Sequence, residues 1–479
     1  NRFEFGYGLT PEIVEVAKTR RPDVIVTVDN GISSLRGVAA ARDAGIEVLV
    51  TDHHLPGEGL PEAEAIINPN QPGDRFPSKS LAGVGVIFYV MLALRARLRT
   101  DGWFEGGGRQ EPNLAQLLDL VALGTVADVV PLEHLNRILV AQGLGRIRAG
   151  RACPGVAALL QVAGRNPARA VASDLGFAVG PRVNAAGRLD DMSLGIRCLL
   201  AETPTEALEA ASELDRLNRE RRAIETQMQQ QALEELDRLR LTDSEQDLPF
   251  GVCLYDPNWH EGVIGLLASR VKERLHRPVI VFTDDEQGRV KGSARSVPGL
   301  HIRDALDAIA AQHPGLLAKF GGHAMAAGLT LEGDSLRPFE AAFEAEVRRH
   351  LDEEALTGTV LSDGSLSAET ADLGLAEALR DAGPWGQAFT EPVFDGLFEV
   401  VDYRILKEKH LKLVLRWPGA ERVVDAIAFN ADLDAWGEGM AHVRAAYTLE
   451  VNEFRGRRNV QLIIALLQPA DDEDDSLQY

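Results

Sequence analysis

The stretch VIVTVDNGISS, residues 24–34, is followed 13 residues later by VLVTDHH, residues 48–54. Each is a β-branched run that ends abruptly in an acid or an imidazole. Between them SSLRGVAAARDAG reads as a helix closed by Gly45. Ahead of them TPEIVEVAKT reads as a helix with Thr10 as N-cap and Pro11 at its first position. Strands alternating with helices of this length predict a parallel, doubly wound sheet. Such sheets bind ligands just beyond the carboxyl ends of their strands, where Asp29, Asp52, His53 and His54 stand.

Outward from this segment, the 479 residues are enough for about two to four domains at roughly 150 residues each. Hydrophobic residues make up 45% and charged residues 25%, the mix of a folded soluble chain. No apolar run reaches the roughly 20 residues that span a bilayer, and no signal peptide is expected at the start. Cys153, Cys198 and Cys253 are too scattered for a zinc site or a disulfide framework and read as buried thiols of a cytoplasmic protein. The net charge of −22 opposes indiscriminate nucleic-acid binding but leaves room for a local basic groove. The chain opens at Asn1 inside an ordered-looking segment, NRFEFGYGLTPEIVEVA, which suggests that the protein begins further upstream.

The expected organisation is a first α/β domain over 1–203, mostly helical after Leu81, and a long polar amphipathic helix over 204–240 of the kind that bridges domains. A second α/β domain over 241–350, a small β-barrel over 357–468 and an acidic tail over 469–479 complete it.

The donors at the strand ends point to a cation. Adjacent parallel strands bring their carboxyl ends to about 5 Å, so Asp29 and His53 can converge. His53 and His54 project to opposite sides, one for metal and one for substrate. Asp128, in LVALGTVADVVPL, offers a third donor, because a carboxylate beside that apolar helix needs a partner. Oxygen and imidazole donors suit Mn²⁺ or Mg²⁺. The second α/β domain offers anion-binding candidates instead. Lys291, Ser293 and Arg295 alternate along one strand face. Gly321, Gly322 and His323 form a Gly-rich turn, and His260 stands at a helix start.

VDNG, TDHH, GTVADVVPL, PRVNAAGR, WHEGVIG and FGGHAMAAG follow one another in the order of the DHH phosphoesterase superfamily with its DHH-associated domain. Over about residues 1–467 the chain resembles that superfamily's single-strand-specific 5′→3′ exonucleases. The resemblance implies a parallel-sheet DHH domain, a long connecting helix, a second α/β DHH-associated domain and a C-terminal OB-fold barrel. It implies two Mn²⁺ or Mg²⁺ ions held by Asp29, His53 and Asp128, with His54 beside the scissile phosphate and Asp52 orienting the histidines. Arg2 and Tyr7 would hold the 5′ end of the DNA, Ser293 and Arg295 its 5′-phosphate, and Arg182, Asn184, Arg188 and His323 the substrate backbone. The family's first motif, a strand ending in Asp-x-Asp, is expected before Asn1, so this chain is expected to carry part of the metal shell and to be weakly active or inactive by itself. A single-strand-binding protein and a RecQ-type helicase are the partners the resemblance suggests, for a monomer acting in DNA repair and recombination.

Two cations would activate a water and clamp the in-line displacement, releasing 5′-mononucleotides. A terminal-phosphate pocket would set polarity, and a narrow passage between the α/β units would exclude duplex. In the barrel, Arg404, Lys407, Lys409, Lys412 and Arg416 outnumber Asp402 and Glu408, with Tyr403 and Trp417 flanking them and Arg455, Arg457 and Arg458 as a second cluster. That pattern suits single-strand binding. Two other readings share the motifs: a small-substrate phosphodiesterase of the oligoribonuclease or cyclic-dinucleotide type, and a non-catalytic DNA-binding scaffold.

Overall fold

The structure is a computed structural model. It describes residues 8–57, 59–105, 108–189, 191–242, 248–285, 288–331, 335–407, 409–431, 433, 436, 441–454 and 456–470. The chain divides into two compact units. One comprises Asn1–Pro181, Gly195–Ser212 and Val360–Tyr479; the other comprises Arg182–Leu194 and Glu213–Thr359.

In the first unit, β1 (Val24–Val28), β2 (Glu47–Thr51) and β3 (Ala65–Ile67) form a parallel sheet in that order. Val28 pairs with Thr51 and Thr51 with Ile67, so the strands end level with one another. Thr10 caps the helix Pro11–Lys18 by accepting a hydrogen bond from the Ile13 amide. Val14, Val38, Ala41, Val48 and Val50 bury one side of this layer. The helices Gly83–Thr100, Leu118–Ala127, His134–Arg148 and Pro154–Val162 follow.

The barrel belongs to the same unit. Strands β9 (Phe394–Leu406), β10 (His410–Arg416), β11 (Val423–Ala428), β12 (His442–Phe454) and β13 (Arg457–Pro469) close in the order β10-β11-β13-β12-β9. All pairs are antiparallel except β11 with β13. This is the five-stranded OB arrangement. Its core follows the period of two that a strand imposes: Leu411, Leu413 and Leu415 of β10 point inward with Phe398, Tyr447 and Leu462. The Leu132 amide donates to the Gln387 carbonyl (2.7 Å), and Arg137 stacks over Phe389 (3.7 Å). These contacts tie the loop after Asp128 to the segment that leads into the barrel.

The second unit contains a five-stranded sheet in the order β4-β5-β6-β8-β7, from β4 (Val252–Tyr255), β5 (Val279–Asp284), β6 (Val290–Arg295), β7 (Leu317–Gly322) and β8 (Ala326–Leu331). Only β4 and β5 are parallel. Strand β5 is covered on both faces, which explains its unbroken VIVF run. Ile280 and Phe282 pack with Leu306, Phe339 and Phe343, whereas Val279 and Val281 pack with Val263, Leu267 and Met228. Met228 lies on the helix Pro204–Thr242, which begins in the first unit and ends in the second.

Candidate metal centre and anion site

The three donors meet. The His53 Nε2 atom lies 3.0 Å from Asp29 Oδ1 and 3.3 Å from Asp128 Oδ2. Asp29, His53 and His54 each place a ligand atom within 4.8 Å of the others. The local chain is built for this. The Asp29 amide extends the ladder to the Thr51 carbonyl (3.0 Å), and the backbone then turns left-handed at Asp29, φ +64°. Gly83, the first residue of its helix, abuts the carboxylate; a Cβ there would lie 2.4 Å from Asp29 Oδ1. The helix N-terminus also favours the negative charge.

Asp128 is held less comfortably. It is the C-cap of the helix Leu118–Ala127, where a carboxylate adds charge to the negative pole. Val129, a β-branched residue, follows at φ +59°, a conformation that costs about 1–3 kcal/mol.

Asp52 is 1% exposed. Its Oδ2 accepts from the Ile32 amide (2.9 Å). Its Oδ1 accepts from the His53 amide (2.8 Å), the His54 amide (3.2 Å) and the His54 Nδ1 (2.7 Å). Burial pushes the Asp52 carboxyl up, but the hydrogen bonds from His54 and Ile32 outweigh it and hold it below the usual carboxylate range. The Asp52 hydrogen bond raises the His54 imidazole above its ordinary value against the opposing effect of burial, and Asp29 and Asp128 add to the rise.

These residues fit a divalent cation. Two carboxylates converge on one imidazole nitrogen, and that nitrogen is buried without a well-formed hydrogen bond. A cation relieves the like-charge repulsion and satisfies the nitrogen together.

The anion-binding candidates all lie in the second unit. Arg295 donates from Nε to Ser269 Oγ (3.1 Å) and from Nη1 to Ser293 Oγ (3.2 Å) and the Ala294 carbonyl (2.8 Å). Burial holds this guanidinium below its ordinary value, and among the described residues no carboxylate is paired with it. Lys291, on the same strand face, is committed to Glu261 at 2.7 Å. His260 uses Nδ1 to cap its own helix, accepting from the Gly262 amide (3.0 Å). Arg182 is buried against Asp215 (2.9 Å), Arg188 donates to the Gly262 carbonyl (3.0 Å), and Asn184 is exposed. Gly321 and Gly322 end strand β7 rather than forming a free turn. Gly322, at φ +152°, has no room for a Cβ, which would lie 2.4 Å from the Ala326 carbonyl oxygen; Gly321 has room. His323 is exposed, its amide donating to the Ala326 carbonyl. Arg2 and Tyr7 lie outside the described residues, as do Glu408, Arg455 and most of the acidic tail.

On the barrel one expectation is corrected. Trp417 is 7% exposed, packs on Phe398 at 5.2 Å and donates from Nε1 to the Leu366 carbonyl, so it belongs to the core and cannot stack on a base. Arg416 pairs with Glu399 (2.8 Å), Lys412 with Asp425 (3.5 Å) and Arg458 with Glu377. Tyr403 remains exposed, edge-on to Trp436 at 5.3 Å.

The motif reading passed over Gly83 and the Ile32 amide. Both contacts come from backbone positions that carry no functional side chain, and only the folded chain brings them in.

The family described as "DHH family, N-terminal domain" matches residues 4–125, the DHHA1 domain matches 249–349 and the RecJ OB domain matches 362–465. The single-stranded-DNA-specific exonuclease RecJ of Dickeya dadantii is 57% identical over 98% of this chain and 81% of its own length. The crystal structure of RecJ in complex with Mn²⁺ from Thermus thermophilus superposes with a TM-score of 0.76 at 30% identity, over 96% of this chain and 64% of that one. The Mg²⁺ complex from the same organism gives 0.70 at 28%, over 94% and 62%. The chain belongs to the RecJ family of single-stranded-DNA-specific exonucleases.

Proposed function

We infer that the full-length protein is a metal-dependent exonuclease that removes 5′-mononucleotides from single-stranded DNA in the 5′→3′ direction. The observation that carries this reading is the approach of Asp29 and Asp128 to one buried nitrogen of His53. Asp29, His53 and Asp128 would hold Mn²⁺ or Mg²⁺. Bound cations of this kind supply an acidified water and neutralise charge on the phosphate and the leaving oxygen. Asp52 fixes the His53–His54 backbone and the His54 ring through its hydrogen bonds, so His54 meets a phosphate oxygen in one orientation and holds its proton at Nδ1.

Selection of the 5′ end is assigned to Arg295 and Ser293. A buried guanidinium whose described partners are hydroxyl and carbonyl oxygens is suited to a phosphate. His260, Arg182 and Arg188 act as supports in this reading, since each is already bonded within its own unit. Tyr403 with Arg404, Lys407 and Lys409 would contact the strand further along, by stacking and phosphate attraction. A cytoplasmic location, a monomeric state and contacts with a single-strand-binding protein and a RecQ-type helicase rest on family likeness. No helix among the described residues is long and apolar enough to cross a membrane.

The test is Mn²⁺-dependent digestion of a long single strand labelled at one end or the other, beside duplex DNA and dinucleotides. Mononucleotide release from the 5′ end of the single strand alone is expected. Preference for dinucleotides would transfer the chain to the small-substrate phosphodiesterases, and binding without cleavage by the full-length protein would make it a scaffold.

A further inference from the structure

Three asparagines away from the quoted motifs tie the donor loops together. Asn68 follows β3 and is 1% exposed. Its Nδ2 donates to the His54 carbonyl (2.9 Å), while its Oδ1 accepts from the Asn70 amide (2.7 Å). Asn70 Nδ2 donates to the His53 carbonyl (2.6 Å) and to the Lys79 carbonyl (3.0 Å). Asn136, fully buried, donates from Nδ2 to the Ser80 carbonyl (2.7 Å) and to the Pro131 carbonyl (2.9 Å).

The consequence lies in what these carbonyls belong to. His53 and His54 carry one donor loop, and Pro131 lies in the loop that follows Asp128. Lys79 and Ser80 belong to the short segment that runs through buried Leu81 and Ala82 into Gly83, against the Asp29 carboxylate. One stretch, Lys79–Gly83, therefore reaches all three donor loops, twice through an asparagine amide. Carbonyls only accept hydrogen bonds, so each clamp needs an N–H donor. An aspartate of the same shape has none.

We propose that Asn68, Asn70 and Asn136 are positioning residues that hold the Asp29, His53–His54 and Asp128 loops in register, and that cation affinity depends on them. The proposal rests on the metal-dependent reading above. Asn70→Asp removes the donor with little change in volume; Asn68→Ser replaces the amide with a hydroxyl too short to span the same distance, and Asn136→Ser does so deeper in the fold. Asn166→Ala, which removes an exposed cap at Pro167, serves as the control. Free Mn²⁺ is followed by electron paramagnetic resonance as it is titrated into each protein, with melting recorded in chelator.

Mn²⁺ binding should weaken about 10–100-fold in the Asn70 and Asn68 variants, the usual range for groups that orient ligands. kcat should fall with it, KM for a long single strand should stay within twofold, and the control should match the parent. A purely structural role would lower the melting temperature and leave Mn²⁺ affinity unchanged well below it. If Asn136→Ser fails to fold, the Asn70 variant decides. Folded Asn70→Asp and Asn68→Ser proteins that bind Mn²⁺ within twofold of the parent would overturn the proposal. A full-length parent protein that neither binds Mn²⁺ nor cleaves would remove the metal-dependent reading as well.

Discussion

Two clusters, one in each unit, have opposite electrostatic needs. Around His53 the chain gathers acceptors: two carboxylates approach one nitrogen, and one of them sits at the negative end of a helix. Around Arg295 a buried guanidinium donates to two serine hydroxyls and a backbone carbonyl, with no carboxylate paired among the described residues. Ordinary structural ion pairs, such as Arg182 with Asp215, balance charge locally. These two clusters do not. In the proposed function the first takes a cation and the second an anion, the pair that a phosphodiesterase recognising a terminal phosphate requires.

The sharpest way to break this contrast is to remove an acceptor. His53→Ala or Asp128→Asn should lower kcat more than ~10³-fold, because metal assistance amounts to several kcal/mol. In chelator, Asp128→Asn should melt no lower than the parent, since a charge is lost from a helix C-terminus. A marked loss of stability there would mean that Asp128 is structural. Removing the donor comes next. Arg295→Ala should cost about 10–100-fold in kcat/KM on a 5′-phosphorylated strand, from charge-assisted hydrogen bonds of about 1.5–3 kcal/mol. A strand with a 5′-hydroxyl should lose little; equal losses on both substrates would assign Arg295 to general binding.

The barrel offers a test of independence. Tyr403→Ala should weaken single-strand binding by about 1–3 kcal/mol of stacking while leaving Mn²⁺ affinity and 5′-phosphate preference alone. The smallest effect concerns a carboxylate handled without a cation. Burial, and then the charge of Glu450, raise the Glu391 carboxyl above its ordinary value. A carboxyl raised in the folded state costs no stability below its unfolded value of about 4.3 and progressively more as pH rises through the folded value. Glu391→Gln should therefore raise the melting temperature at pH 7, by an effect on the order of 0.5 kcal/mol, and leave it unchanged at pH 4.

How much of this was readable in the sequence follows from the range of each interaction. The strand-turn pattern around Asp29 and His53 is local, and it placed the donors at level strand ends. The barrel was visible in the alternation of HLKLVLR, residues 410–416. Trp417 was misjudged because a basic hairpin with a flanking aromatic looks alike in sequence whether the ring faces solvent or closes a core. Lys291 likewise shares its strand face with Arg295, yet Glu261, from a distant helix start, neutralises it. The clamps made by Asn68 and Asn70 were written in INPNQP, residues 67–72, where asparagines flank a proline after a strand. Nothing local shows that their amides reach back to the histidine carbonyls.

Diffraction at the manganese absorption edge from Mn²⁺-soaked crystals tests the central claim most directly. The account predicts anomalous density bounded by Asp29, His53 and Asp128. Density confined to other residues, in crystals of protein that still degrades single-stranded DNA, would contradict it.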